Sequence, residues 1–161
     1  MRIGVISDTH DNARNVARIV EMLRAARVER VIHTGDITRA STLRMLGELA
    51  VPVFGVFGNN DRERTALAEV AAELGFELVE PPLELHWIGR RITVVHDRAA
   101  HPGLAPGARD VLLHGHDHRF ALERVGGTLI FNPGECAGSL AGRNAVGLLD
   151  LVRLEADLLR F

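Results

Sequence analysis

The chain has 161 residues, of which 47% are hydrophobic and 25% are charged, and its formal net charge at pH 7 is −2. We therefore expect one soluble domain over residues 1–161, without the basic excess that marks proteins whose main task is to grip nucleic acid. Because Cys136 is the single cysteine and no apolar stretch approaches the length of a membrane helix, we expect no disulfide, no membrane contact and a cytoplasmic location.

The first half of the chain alternates short apolar runs with amphipathic stretches. The apolar runs predict strands at residues 2–7, 30–33 and 51–57. Apolar residues at helical spacing predict helices from Asn12 to Ala26, from Ser41 to Leu49 and from Arg62 to Leu74. This alternation indicates parallel strands that are joined by right-handed helical crossovers.

The second half predicts hairpins instead of helices. Residues 83–87 and 91–95 flank Gly89, a further strand is predicted at 111–114, and residues 119–124 and 128–131 flank a pair of glycines. A closing hairpin is predicted from residues 145–153 and 157–161. An antiparallel-rich half that follows parallel βαβ units predicts a mixed α/β fold, with two packed sheets covered by helices.

Polar motifs follow all three strands of the first half. They are Asp8-Thr9-His10, Gly35-Asp36 and Gly58-Asn59-Asn60-Asp61. Each has a simple alternative interpretation, since Asp8 or Asp11 could cap the next helix and the other two motifs are common turn sequences. Turn chemistry does not require polar ligands at three successive strand ends, however, and in open α/β sheets functional residues gather at this edge.

Histidines end two apolar runs of the second half. His96 follows residues 92–95, and residues 111–113 lead into His114-Gly115-His116-Asp117-His118. Residues two apart share a face in an extended segment, so His116 and His118 could serve one site, and His114 could join them. The alternative is a polar loop that happens to be rich in histidine.

Together the motifs supply carboxylates, imidazoles and one amide, and no thiolate. This mixture suits Mn²⁺, Fe²⁺, Co²⁺, Ni²⁺ or Zn²⁺. The candidates exceed what one tetrahedral ion needs, whereas two ions that share a carboxylate would use them all. Asp36 is the natural bridge, because it lies on the middle one of the three motif-bearing segments of the first half. The candidate ligands are Asp8, His10, Asp36, Asn59, His96, His116 and His118.

The order of these motifs resembles the calcineurin-like metallophosphoesterase superfamily, and specifically its compact bacterial and archaeal phosphodiesterase branch. The matching residues are Asp8-x-His10, Gly35-Asp36, Gly58-Asn59-x-Asp61, His96, Gly115-His116-x-His118 and Asn132-Pro133-Gly134. The retromer phosphoesterase-like subunit is related to this branch. The resemblance implies a four-layer αββα sandwich and two divalent ions, with manganese first and iron, nickel, cobalt or zinc as alternatives. It also implies one ion held by Asp8, His10, Asp36 and His118, and the other by Asp36, Asn59, His96 and His116.

The function that the resemblance implies is hydrolysis of a small phosphodiester by metal-activated water. Two alternatives stay open: a phosphomonoesterase or nucleotidase on the same centre, and a non-catalytic scaffold for protein interactions. A homo-oligomer is compatible with each of these functions.

The sequence departs from the family pattern at several positions. Asn60 and Asp61 are candidate catalytic residues, but Asn60 stands where many members have the histidine that protonates the leaving group. Asp61 is expected to orient a neighbour from behind the ligands. The proton source is open between bound water, His101 and His114. Further departures are Asp97, Asp117 and Glu135, in place of a glycine, a threonine and a serine.

Overall fold

The computed structural model describes residues 1–104, 107, 109–140 and 142–161. Its helices are α1 (Ala13–Ala25), α2 (Ala40–Gly47) and α3 (Arg64–Glu73). Its strands are β1 (Arg2–Ile6), β2 (Arg30–His33), β3 (Val53–Val56), β4 (Glu77–Val79), β5 (Leu83–Trp87), β6 (Arg90–Val94), β7 (Val111–Leu113), β8 (Phe120–Val125), β9 (Thr128–Pro133), β10 (Ala145–Asp150) and β11 (Glu155–Arg160).

The first sheet has six strands in the order β11-β10-β1-β2-β3-β4. Strands β1 to β4 are parallel, which confirms the predicted βαβ units. The closing hairpin β10–β11 joins the same sheet, with Leu149 opposite Ile3 in an antiparallel pair. Strand β4 was not predicted, because it has only three residues and no long apolar run. β1 therefore lies inside the sheet, between β2 and the C-terminal hairpin.

The second sheet has five strands in the order β5-β6-β7-β9-β8. The hairpins β5–β6 and β8–β9 are antiparallel, as predicted. β7 is parallel to both of its neighbours, so this sheet is mixed and less antiparallel than the sequence suggests. The difference arises because β8 lies at the edge of the sheet. The β8–β9 hairpin therefore places β9 beside β7, and β9 runs in the same direction as β7. The carboxyl ends of β6, β7 and β9 consequently share one edge.

Apolar side chains hold the layers together. Between the sheets, Ile3 and Val5 of β1 are buried with Val94 and Phe131 of the second sheet. The helices cover the other face of the first sheet with one apolar stripe each, which for α1 is Val16, Ile19, Val20 and Leu23. Burying one such aliphatic side chain contributes about 1.5–3 kcal/mol relative to leaving it exposed.

The predicted mixed α/β fold of two packed sheets with flanking helices is confirmed. One layer differs from the αββα scheme within the described residues. The outer face of the second sheet presents Val95, Leu112 and Ile130, and Leu104 of an irregular segment packs on it. The described part of that segment forms turns and no helix, so all described helices lie on the first sheet. No helix in the described chain is long and apolar enough to cross a membrane.

The functional edges of the two sheets meet after β1. The backbone N–H of Cys136 donates to the carbonyl of Ser7 at 3.1 Å, and the N–H of His116 donates to Oδ2 of Asp8 at 3.1 Å. Gly115 lies so close to this point that a Cβ there would collide with the Ser7 hydroxyl. The polar motifs of both halves of the chain are therefore brought to one place.

Candidate metal centre

All seven predicted ligands lie in one continuous cluster. On one side, Nε2 of His118 is 3.4 Å from Oδ1 of Asp8, and Nε2 of His10 is 3.4 Å from Oδ2 of Asp36. On the other side, Nε2 of His96 is 3.5 Å from Oδ1 of Asp36. The Oδ1 atom of Asn59 completes the cluster, at 2.9 Å from Nε2 of His96 and 3.0 Å from Nδ1 of His116.

Two groups within the cluster have the spacing that one metal ion requires. They are Asp8, His10 and His118, and Asp8, Asp36 and His96, with the ligand atoms of each group within 4.8 Å of one another. The two groups share Asp8, whereas the sequence names Asp36 as the bridge. The Asp36 carboxylate, a member of the second group, nevertheless contacts both sides of the cluster, because one of its oxygens faces His10 and the other faces His96.

The backbone of the cluster is strained. Left-handed φ angles are rare for residues other than glycine, and they persist where the surrounding structure enforces them, often at functional sites. Five of the seven candidate ligands have such angles, namely Asp8 (52°), His10 (42°), Asp36 (59°), His116 (74°) and His118 (56°).

Neither Asp8 nor Asp11 caps the following helix, α1, in the structure. The cap of α1 is Asn12, whose side chain accepts from the N–H of Asn15 at 3.2 Å. Asp11 accepts instead from the hydroxyl of Ser41 at 3.1 Å, which ties the loop to α2. The Asp8 carboxylate is therefore available to the ligand cluster.

Hydrogen bonds fix which nitrogen two of the histidine rings present. Nδ1 of His96 lies 2.9 Å from the carbonyl of Thr34, and Nδ1 of His118 lies 2.8 Å from a carboxylate oxygen of Glu135. Each Nδ1 must donate to its oxygen, so in the neutral ring Nε2 carries a bare lone pair. These lone pairs point at Oδ1 of Asn59 and Oδ1 of Asp8, which are acceptors as well. Acceptors that face one another are stabilised by a cation between them.

Polar atoms without a hydrogen-bond partner also indicate a cation site. Oδ1 of Asp8 and Nε2 of His10 are buried without a hydrogen-bond partner in the described chain. Burial raises the pKa of the Asp8 carboxyl, although the hydrogen bond from Ser7 opposes this. Leaving such atoms unpaired costs about 1–3 kcal/mol each, a cost that a bound cation removes. The donor set therefore fits a divalent metal.

Asp61 and Asn60 lie behind the ligands. The buried Asp61 carboxylate accepts from the backbone N–H of Asp36 at 3.0 Å, of Thr38 at 2.6 Å and of Gly58 at 2.6 Å. Asn60 donates from its backbone to Oδ1 of Asp36 at 2.9 Å and from its amide to Oδ2 at 2.6 Å. Both residues thus hold Asp36 in place, and Gly58 is needed there because a Cβ would collide with the Asp36 carboxylate.

The remaining histidines differ from the ligands. His114 is buried, burial lowers its pKa, and its Nε2 has no partner among the described residues. It faces a groove with Asp97 and Asp117 and is not in the ligand cluster. His101 lies in the turn after β6, where its backbone N–H donates to Arg98. His33, which sequence reasoning passed over, is fully buried beside the site and lies 3.1 Å from the Thr9 hydroxyl.

Glu135, which the sequence marks only as a departure from the family pattern, is a second residue whose role sequence reasoning missed. It is fully buried, and its carboxylate lies behind the ring of His118. The available signal was its place two residues after β9, which is parallel to β7 and ends at the same edge. The rule that singled out His96 and His116 applies there equally.

The chain is similar to known proteins over nearly its whole length. Phosphodiesterase MJ0936 of Methanocaldococcus jannaschii is 31% identical over 159 residues, with 96% of each chain covered. A solved archaeal phosphodiesterase superposes with a TM-score of 0.93 at 30% identity and covers all of both chains. Vps29 of Entamoeba histolytica, solved with Zn²⁺, shares the fold with a TM-score of 0.67 at 22% identity, covering 100% of this chain and 98% of its own. The model of the calcineurin-like phosphoesterase superfamily domain matches residues 1–153, and the chain belongs to that superfamily.

Proposed function

We propose that the chain is a two-metal phosphodiesterase. The observation that carries this proposal is the convergence of acceptor atoms around Asp8 and Asn59, which a pair of cations would stabilise. Manganese is the expected metal, with iron, nickel, cobalt and zinc as alternatives, because the donors are oxygen and nitrogen without thiolate. One ion would be held by Asp8, His10, Asp36 and His118, and the other by Asp36, Asn59, His96 and His116.

The reaction is hydrolysis of a phosphate ester. When bound, the two ions supply Lewis acidity, which lowers the pKa of water and neutralises charge on the phosphate. A water oxygen forms a bond to phosphorus, the bond from phosphorus to the leaving oxygen breaks, and one water proton ends on the leaving group. Asp36 holds the two halves of the centre in register, and Asn60 and Asp61 fix Asp36 from behind.

The choice of diesters rests on the similarity to Phosphodiesterase MJ0936. No residue of the cluster offers an obvious acid for the leaving group. The Asn60 amide is not an acid and is bonded to Asp36, and His114 has its pKa lowered by burial, which keeps it neutral near pH 7. We therefore expect good leaving groups such as nitrophenolate to be favoured over alkoxides. The cytoplasmic location and any assembly of identical chains stay predictions.

The test uses protein that has been stripped of metal by a chelator. Turnover of bis(p-nitrophenyl) phosphate should be absent, should return with Mn²⁺ or one of the alternative ions, and should exceed turnover of p-nitrophenyl phosphate. Turnover by protein shown to be metal-free would contradict the mechanism. Faster turnover of p-nitrophenyl phosphate than of the diester would make the chain a phosphomonoesterase. Metal binding without turnover of either ester would favour the non-catalytic scaffold.

A further inference from the structure

A groove of about 420 Å³ opens beside the candidate metal centre. His118 forms part of its wall, so a molecule in the groove would touch a residue of the ligand cluster. Volumes of this order are typical of sites for small molecules. Its other principal side chains are Arg119, Phe120, Arg143 and Arg160. We call this the basic groove.

The arginines of the basic groove have no acidic partner among the described residues. All three are exposed. Some exposed arginines elsewhere do pair, as Arg44 does with Glu73 at 2.8 Å. No ion pair of the described chain uses Arg119, Arg143 or Arg160. On a chain with a net charge of −2, three uncompensated cations around one groove favour an anion there.

A second groove beside the histidine segment has the opposite charge. It has a volume of about 540 Å³, and its acidic side chains are Asp97, Asp117 and Glu123. Its one arginine, Arg98, is already 3.6 Å from the Glu123 carboxylate. An anionic group attached to a substrate at the metal centre is thus repelled on this side and attracted on the side of the basic groove.

We propose that the basic groove binds a second phosphate of the substrate. The substrate class is then a phosphodiester that carries another phosphate a few bonds from the scissile one, an inference that rests on the proposed phosphodiesterase function. Guanidinium groups suit phosphate because they donate two parallel hydrogen bonds to its oxygens. The ring of Phe120, which is 49% exposed, offers an apolar wall for the organic part between the phosphates, such as a nucleoside.

The test compares two substrates that differ by one phosphate. They are the p-nitrophenyl ester of thymidine 5′-phosphate and the same ester with a 3′-phosphate, which share the scissile bond and the leaving group. In the metal-loaded protein at low salt, we expect kcat/KM to be about tenfold higher for the 3′-phosphorylated ester, as charge-assisted hydrogen bonds imply. This preference should decrease as the ionic strength rises, because the arginines are exposed.

Variants locate the preference in the groove. Arg143→Gln and Arg160→Gln should each lower the ratio of the two kcat/KM values toward one, and Arg160→Glu should bring it below one. Arg44→Gln removes the same charge from α2 and should leave the ratio as it is. Circular dichroism checks that each variant is folded.

The outcomes separate the two proposals. Equal kcat/KM for the two esters, or a ratio that Arg143→Gln and Arg160→Gln leave unchanged, overturns the assignment of the groove and leaves the phosphodiesterase function intact. No turnover of either ester with any of the candidate ions overturns the phosphodiesterase function, and the assignment of the groove falls with it.

Discussion

The carboxylate of Glu135 accepts a hydrogen bond from Nδ1 of His118 at 2.8 Å, and this pair sets the direction of one candidate metal ligand. The second carboxylate oxygen is held by the backbone N–H of Leu140 at 2.6 Å, so the group cannot turn away. A carboxylate behind a ligating histidine fixes the ring and raises its basicity. Serine, which the family resemblance leads us to expect at this position, would offer no negative charge.

Glu135→Gln should therefore lower the affinity for metal, although saturating metal should still fill the centre. The amide keeps the size and an acceptor oxygen but loses the charge, and we expect an affinity lower by about 10–100-fold at the affected ion. Calorimetric metal titration measures the change, and activity should largely return at saturating metal. Glu155→Gln, at an exposed pair with Arg153, is the matched control. Titration curves of Glu135→Gln and the unmodified protein that coincide would refute this role.

Asp36→Asn should disturb both halves of the centre. Asparagine loses the charge that offsets two cations, and its amide would face the N–H groups of Asn60, which now donate to both carboxylate oxygens. We expect metal content to drop at both sites and kcat to fall roughly a thousandfold or more. Two ions per chain with near-normal turnover would show that Asp36 is not the bridge.

His96→Ala, in contrast, should remove mainly one ion. Asp8, His10, Asp36 and His118 remain to hold the other, so elemental analysis should find about one ion per chain. Circular dichroism should show a folded chain, because the apolar core between the sheets does not include the ligands. Loss of both ions would mean that the two halves of the centre cannot be separated.

Asp61→Ala should lower the stability of the fold. It leaves the backbone N–H groups of Asp36, Thr38 and Gly58 without their acceptor. At about 1–3 kcal/mol for each unsatisfied buried group, with partial relief by water, we expect a loss of about 3 kcal/mol. Urea denaturation measures it, with the exposed Asp157→Ala as control at less than about 0.5 kcal/mol. A loss below 1 kcal/mol for Asp61→Ala would contradict the role.

His33 makes stability depend on pH. Burial lowers its pKa from 6.5 to about 3, and its ring is held neutral between the N–H of Gly35 and the hydroxyl of Thr9. Below pH 6.5 the His33 ring binds a proton in the unfolded chain but not in the folded chain. Stability is therefore lost as the pH falls from 6.5 toward 3. Between pH 7 and pH 5 this amounts to about 2 kcal/mol.

The His33→Gln variant tests this contribution. In metal-free protein, urea denaturation at the two pH values should show that the variant loses about 2 kcal/mol less than the unmodified chain. The difference between the two chains isolates His33 from the other histidines, which both chains share. Equal losses would mean that His33 is not held neutral in the folded state.

The convergence of the candidate ligands could be predicted because the ends of apolar strands can be located in the sequence. Asp8, Asp36 and His96 each follow a buried run, and parallel strands bring such ends to one edge. Hydrophobic periodicity likewise located the three helices, whose apolar stripes pack on the first sheet.

Other features depend on contacts between distant parts of the chain. β4 is too short to show a pattern, and the parallel pairing of β7 depends on where β8 lies in the sheet. The neighbours of Glu135 come from two separate turns, which local sequence does not bring together. The left-handed backbone of Asp8 and Asp36 is also not visible in the sequence, because aspartate adopts it only occasionally and the tertiary contacts at each position decide it.

The position of β1 has a consequence for how the protein is made. β1 pairs with β2 on one side and with β10 on the other, so Ile3 meets Leu149 only after β10 has been synthesised. All seven candidate ligands lie between Asp8 and His118 and leave the ribosome before β10 does. A nascent chain therefore carries its complete ligand set while one edge of β1 is still open, and that edge is a template for pairing with another strand. The open edge of β1 is covered when β10 leaves the ribosome and pairs with it.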